Sequence, residues 1–140
     1  MLFFSKKDKS GPGLSGVVIS FLMDADSAYM YSYSTRDTLV LHDYFSRECR
    51  RKIYDMILAT ASTREFSTPK FRNTTWTLIS KNVDGTFWVK KSVVFDAIKV
   101  TGAIRMKVAQ DYEEKWLVGV TDDRKYYEVK DIEYIPRYYG

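Results

Sequence analysis

Apolar and polar residues alternate most regularly between Ile98 and Ala109. Ile98, Val100, Ile104, Met106 and Val108 share one parity, and Lys99, Thr101, Ala103, Arg105 and Lys107 share the other. Strand side chains change face at every residue, so the spacing predicts a strand with one buried and one basic face. Shorter segments of the same kind flank it, as expected for a sheet with one wet side. Upstream, Val17-Val-Ile-Ser-Phe-Leu-Met23 reads as a buried strand, Asp24-Ala-Asp-Ser27 as a turn, and residues 28–34 as a second strand completing a hairpin.

Residues 43–61 carry a different period. At 100° per residue Phe45, Cys49, Ile53, Met56 and Ile57 fall in one arc, with Thr60 its only polar member. This predicts a helix, with Asp43 as its N-cap. The opposite side carries Arg47, Arg51, Tyr54 and Leu58, with Arg50 nearer the boundary. Beyond it, residues 74–81 are predicted to pair with 86–95 across Asn82-Val-Asp-Gly85, where Asp-Gly tolerates positive φ. Asp96-Ala97 is read as a link and residues 110–114 as a polar turn. A second hairpin (115–121 with 124–130) and a short edge strand (131–135) close the chain before Pro136. The fold class expected is α+β: an antiparallel curved sheet or small barrel built from an N-terminal hairpin, one amphipathic helix and a C-terminal β-meander. In pattern alone, the last 35 or so residues loosely resemble small barrels of the SH3 and Tudor type.

Composition narrows the class. The 140 residues suit one domain, read as a flexible basic arm over 1–16 followed by a single unit over 17–140. The arm is Gly-rich and carries Lys6, Lys7 and Lys9 behind Leu2, Phe3 and Phe4. That order is the reverse of a secretory leader, and no apolar run reaches the roughly 20 residues of a membrane helix. With a single cysteine, Cys49, no internal disulfide can form, so a cytoplasmic setting without membrane contact is expected. Net charge is +4 but uneven: residues 1–107 hold 17 Lys/Arg against 10 Asp/Glu, and residues 108–140 hold 5 against 8. A basic body with an acidic end suits a polyanionic partner, or is simply an unevenly charged solvated surface.

Catalytic chemistry is thinly supplied. His42 is the only histidine, and Cys49 lies in the arc assigned to the core, which leaves no His–Cys pair. No phosphate-binding loop, dinucleotide fingerprint or nucleophile elbow is present. Asp24 and Asp26 after an apolar strand suggest paired metal-binding carboxylates, against the plainer reading of a polar turn. No resident cofactor or metal is expected.

Binding chemistry is richer. Tyr29, Tyr31 and Tyr33 would project from one side of a strand, where phenol rings either stack on bases or pack within a half-buried sheet. Arg47, Arg50 and Arg51 beside Tyr54 mix cations with an aromatic, as phosphate tracks do. Lys99, Arg105 and Lys107, with Lys90 and Lys91 before them, would extend that surface. Trp76, Trp88 and Trp116 are assigned to packing, with an aromatic cage of Trp116 and Tyr126 or Tyr127 as a minor alternative. The leading expectation is a non-enzymatic module binding single-stranded nucleic acid with little sequence preference. Arg47, Arg50, Arg51, Lys99, Arg105 and Lys107 would hold phosphates, and Tyr54 and the Tyr29 row would stack bases. The alternative is a protein-interaction, assembly or inhibitor subunit, such as an accessory or virus-like component. It would act through exposed strand edges and terminal arms, and a homo-oligomer falls within that reading.

Overall fold

A computed structural model describes residues 13–61 and 70–136. Among these described residues two helices precede a four-stranded antiparallel sheet. Helix α1 spans Gly16–Thr35, a single 3-10 turn spans Leu39–Leu41, and helix α2 spans Arg47–Ala61. Strands β1 (Lys70–Lys81), β2 (Phe87–Thr101), β3 (Ile104–Val120) and β4 (Tyr127–Ile135) follow, each hydrogen-bonded to the next in sequence. The class is α+β with a curved antiparallel sheet, open rather than closed into a barrel.

The N-terminal hairpin is not formed. Residues 16–35 instead make one continuous helix, capped by Ser15, whose Oγ accepts from Val18 N at 3.3 Å. No glycine or proline interrupts Val17 to Thr35, so nothing breaks the helix where a turn was expected. Its buried residues, Val18, Leu22, Ala25, Ala28, Tyr29 and Ser32, fall on one side at the helical period. Its C-cap Arg36 takes a left-handed φ of 64°.

Helix α2 matches the expected segment but starts at Arg47. Ser46, not Asp43, caps it: its Oγ accepts from Cys49 N at 3.2 Å and its carbonyl accepts from Arg50 N at 2.8 Å. Phe45, Cys49, Ile53 and Ile57 are buried as the arc predicts, with Met56 partly covered. The segment ahead of α2 lies along β4. Ser46 N donates to Val129 O at 2.9 Å and Val129 N to Tyr44 O at 2.8 Å, covering part of that edge.

The turn at Asn82–Gly85 forms as expected, with Gly85 at φ 92°. The remaining strands are fewer and longer than predicted. Asp96-Ala97 is not a link but lies inside β2, residues 110–114 lie inside β3, and 131–135 belong to β4. The stretch 98–109 is not one strand. Gly102, at φ 62°, turns the chain between Thr101 and Ile104, so 98–101 pairs back on 104–107. The β1 ladder ends at Lys70↔Asp96 and the β4 ladder at Glu113↔Ile135, so this β2–β3 ribbon runs past its neighbours by about five residues, ~16 Å. Ile104 (63%) and Met106 (56%), expected on the buried face, are exposed there. Of the last 35 residues, those described (up to Pro136) complete the open sheet and form no barrel of their own.

The core lies between the helices and one face of the sheet. Trp116 is at its centre, with its ring edge-on to Tyr29 (5.5 Å), Phe45 (5.7 Å) and Trp76 (5.0 Å).

Candidate functional site

Strand parity puts Lys91 on the same face as Val89 and Val93, and Glu114 on the same face as Trp116 and Val118. Both charged residues are therefore carried into the core. Lys91 is wholly buried, and its ammonium is hydrogen-bonded to Asp26 of α1 and lies 3.6 Å from Glu114. It also sits over the rings of Tyr29 (5.0 Å), Trp116 (5.3 Å) and Tyr112 (5.5 Å). Glu114 is held from two more sides: Tyr29 OH donates to one carboxylate oxygen at 2.8 Å and Trp116 Nε1 to the other at 3.3 Å. Desolvation alone would lower the Lys91 pKa, but attraction to Asp26 and Glu114 outweighs it and holds the ammonium above its ordinary value. Burial raises the Asp26 carboxyl more than Lys91 lowers it. The arrangement is an internal ionic clamp joining α1 to β2 and β3.

The same burial raises three phenols. Tyr29 stands well above the usual tyrosine value, Tyr33 is pushed up to about 12, and Tyr112 is raised, each chiefly by desolvation. A raised folded pKa means stability that is intact below the unfolded value near pH 10 and is lost as pH climbs through the folded one. Lys91 acts in the same direction. Between about pH 10 and 12 the protein is therefore expected to unfold. Part of the tyrosinate absorbance at 295 nm should appear together with the loss of far-UV circular dichroism. Full tyrosine titration near pH 10 with the dichroism intact would contradict the assignment.

The residues expected to bind nucleic acid are dispersed. On a helix, positions 29, 31 and 33 do not share a side: Tyr29 is 3% exposed, Tyr33 is half-buried against it at 5.2 Å, and only Tyr31 is open. Lys91 is lost to the core, and Lys90 lies 3.5 Å from Glu113. Arg47, Arg51 and Tyr54 are exposed together on α2, whereas Arg50 is half-buried and donates Nη1 to Phe45 O at 3.1 Å. Arg105 is exposed near the ribbon tip. Lys99 and Lys107 stand in β2 and β3, their side chains outside the described set. Of the arm predicted over 1–16, residues 1–12 lie outside the described residues, as does the tail over 137–140, while Ser15 and Gly16 cap and open α1.

The other candidates resolve plainly. Asp24 is exposed and Asp26 faces Lys91, and no cluster able to hold a metal occurs among the described residues. Cys49 is buried, and burial, helped by the charge of Asp131, pushes its thiol up to about 12. Trp116 is buried while Tyr126 is exposed and Tyr127 packs against Phe21 at 5.7 Å, so no cage forms.

The surface with the least solvent chemistry belongs to α1. In twenty residues it carries only two charges, Asp24 and Asp26, and Asp26 points inward. Its outer side shows Val17, Met23 and Tyr31 among serines. Beside it runs an open groove of about 470 Å³, lined by Asp24, Ser27, Tyr31, Val40, Asp43 and Tyr44. Neither Asp24 nor Asp43 has an ion-pair partner among the described residues.

The fold has a known counterpart. The chain is similar in structure to the intermembrane space region of the chloroplast protein ARC6, known from a crystal structure. The TM-score is 0.59 over 90% of this chain and 100% of that one, at 10% identity. At that identity the likeness is one of fold alone. No family model and no curated protein matches the sequence. Among the described residues, no helix is long and apolar enough to cross a membrane.

Proposed function

We propose that the protein is a non-enzymatic protein-interaction module. It docks a partner on the outer side of α1 and in the adjoining groove. The observation that carries this reading is the charge-poor outer side of α1. A solvated helix normally faces water with charged residues, as α2 does with Arg47, Glu48, Arg51, Lys52 and Asp55. Interface centres are depleted of charge and enriched in Tyr and Met, the composition found at Met23 and Tyr31. Asp24 and Asp43, at the groove without an ion-pair partner among the described residues, select the partner's chemistry: apolar side chains accompanied by a lysine or arginine.

Photo-crosslinking tests this. A reactive side chain placed at Met23 or Tyr31 is expected to give a discrete protein adduct, and one at exposed Glu48 on α2 is not. Asp24→Lys with Asp43→Lys should abolish the adduct. Equal labelling from position 48, or an adduct indifferent to charge reversal, would refute the proposal.

A second reading retains nucleic acid as the partner, supported by Arg47 and Arg51 at i,i+4 beside exposed Tyr54. It predicts binding of a labelled single-stranded oligonucleotide that weakens steeply with salt and is lost in Arg47→Ala with Arg51→Ala. Binding that is absent at low salt, or flat with salt, removes it.

A further inference from the structure

The two edges of the sheet are treated differently. The β4 edge is partly covered by the backbone of Tyr44 and Ser46. The β1 edge has no backbone partner among the described residues beyond β2 itself. Exposed edges in monomeric proteins are usually blunted by charge, proline or β-bulges, and in β1 these devices are confined to the two ends of the strand. From Asn73 to Ser80 this strand reads Asn-Thr-Thr-Trp-Thr-Leu-Ile-Ser, with no charged residue and no proline. Two register shifts, at Phe71/Asn73 and Leu78/Ser80, bracket it and leave six consecutive residues, Asn73 to Leu78, in regular pairing with β2. In an antiparallel ladder alternate residues turn both N–H and C=O away from the neighbour, so about three of these six offer their backbone outward. Trp76 anchors the strand to the core at 3% exposure, which holds this row of donors and acceptors in place.

We infer that this edge accepts an extended segment of a partner protein as a fifth strand, and that the segment is uncharged at its centre and acidic at its ends. The charge of β1 carries the second half of the inference. The strand opens Lys70-Phe-Arg72 and closes at Lys81, and it contains no carboxylate. A second copy of the chain is a poor occupant. Antiparallel self-pairing would set Lys81 of one copy beside Lys70 and Arg72 of the other, and parallel pairing would set like beside like. By sequence position β1 carries cations at both ends, the complement of a strand with carboxylates at its own ends. Main-chain bonds would supply the affinity and these end charges the selectivity. The inference deepens the protein-binding reading but stands on a different surface from α1. Strand addition and α1 cross-linking can therefore fail separately.

The test uses the full chain and a short synthetic peptide with Asp at both ends and alternating Thr and Val between them. Binding is followed by fluorescence anisotropy, and amide hydrogen exchange locates it. The expected result is slowed exchange at alternate amides between Asn73 and Leu78. The same peptide N-methylated at every second residue should not bind, and a version ending in Lys should bind about tenfold or more weakly at low salt. No slowing in this window at saturating peptide overturns the proposal, as does slowing confined to another part of the sheet. Equal affinity for the Lys-ended peptide overturns the acidic-ended partner. A free protein that is already dimeric and protected over the same amides makes a second copy the occupant and overturns it too.

Discussion

Lys91→Met is expected to cost about 3–5 kcal/mol of folding stability, because it leaves Asp26 and Glu114 facing each other in the core without their cation. For a domain whose whole stability is on the order of 5–15 kcal/mol, that is a large fraction. The opposite result is expected when the whole clamp is made neutral. Lys91→Met combined with Asp26→Leu and Glu114→Gln should regain most of the loss, because no buried charge then lacks a counterpart. Gln keeps a carbonyl oxygen for the Trp116 indole, and its amide N–H can donate to the Tyr29 hydroxyl oxygen. Urea denaturation of the single and triple variants decides the matter. A single variant as stable as the parent would mean that the ammonium is not held as described. A triple variant no better than the single one would mean that the carboxylates were not the source of the loss.

Trp116→Ala should be comparably severe, about 3–5 kcal/mol, and should fail in a different way. It empties the point where Tyr29, Phe45 and Trp76 meet, and it removes one of the donors to Glu114. Trp88→Ala is the matched control. That ring is half-buried on the other face of the sheet, 4.7 Å beneath Lys115, where a cation–π contact is worth about 0.5–1 kcal/mol. Thermal unfolding of the two variants should separate them clearly. Equal losses would place the centre of the core elsewhere.

Much of this was legible from spacing alone. The arc of Phe45, Cys49, Ile53 and Ile57 gave helix α2 its buried side, and Asp84-Gly85 marked a true hairpin turn. The errors have physical causes. Helix α1 carries apolar residues on its outer side as well (Val17, Met23, Tyr31), so its period of 3.6 is muted and Val17 to Met23 passes for a strand. The series Val18, Leu22, Ala25, Tyr29 and Ser32 was present in the sequence, and so was the Ser15 cap. The alternation across 98–109 was genuine but spanned a turn. An isolated glycine in a strand pattern is the usual sign of such a break, and Gly102 provided it. The clamp was missed for the opposite reason. Parity alone places Lys91 with Val89 and Val93, yet lysine is so rarely fully buried that composition argued for the surface. The pairing of Lys91 with Asp26 depends on how a helix and a sheet meet, which no local pattern records.

The clamp also bears on the order in which the molecule assembles. Every strand joins its sequence neighbour, so the meander can form from short loops. Asp26 must find Lys91 across 65 positions, and Tyr29 must find Glu114 across 85. Closing loops of that length costs more chain entropy and slows folding. On the ribosome α1 emerges before the sheet. It then waits, with its carboxylate and phenol unmatched, until β3 has been synthesised. A helix made before the sheet is thus seated only once two of its strands exist.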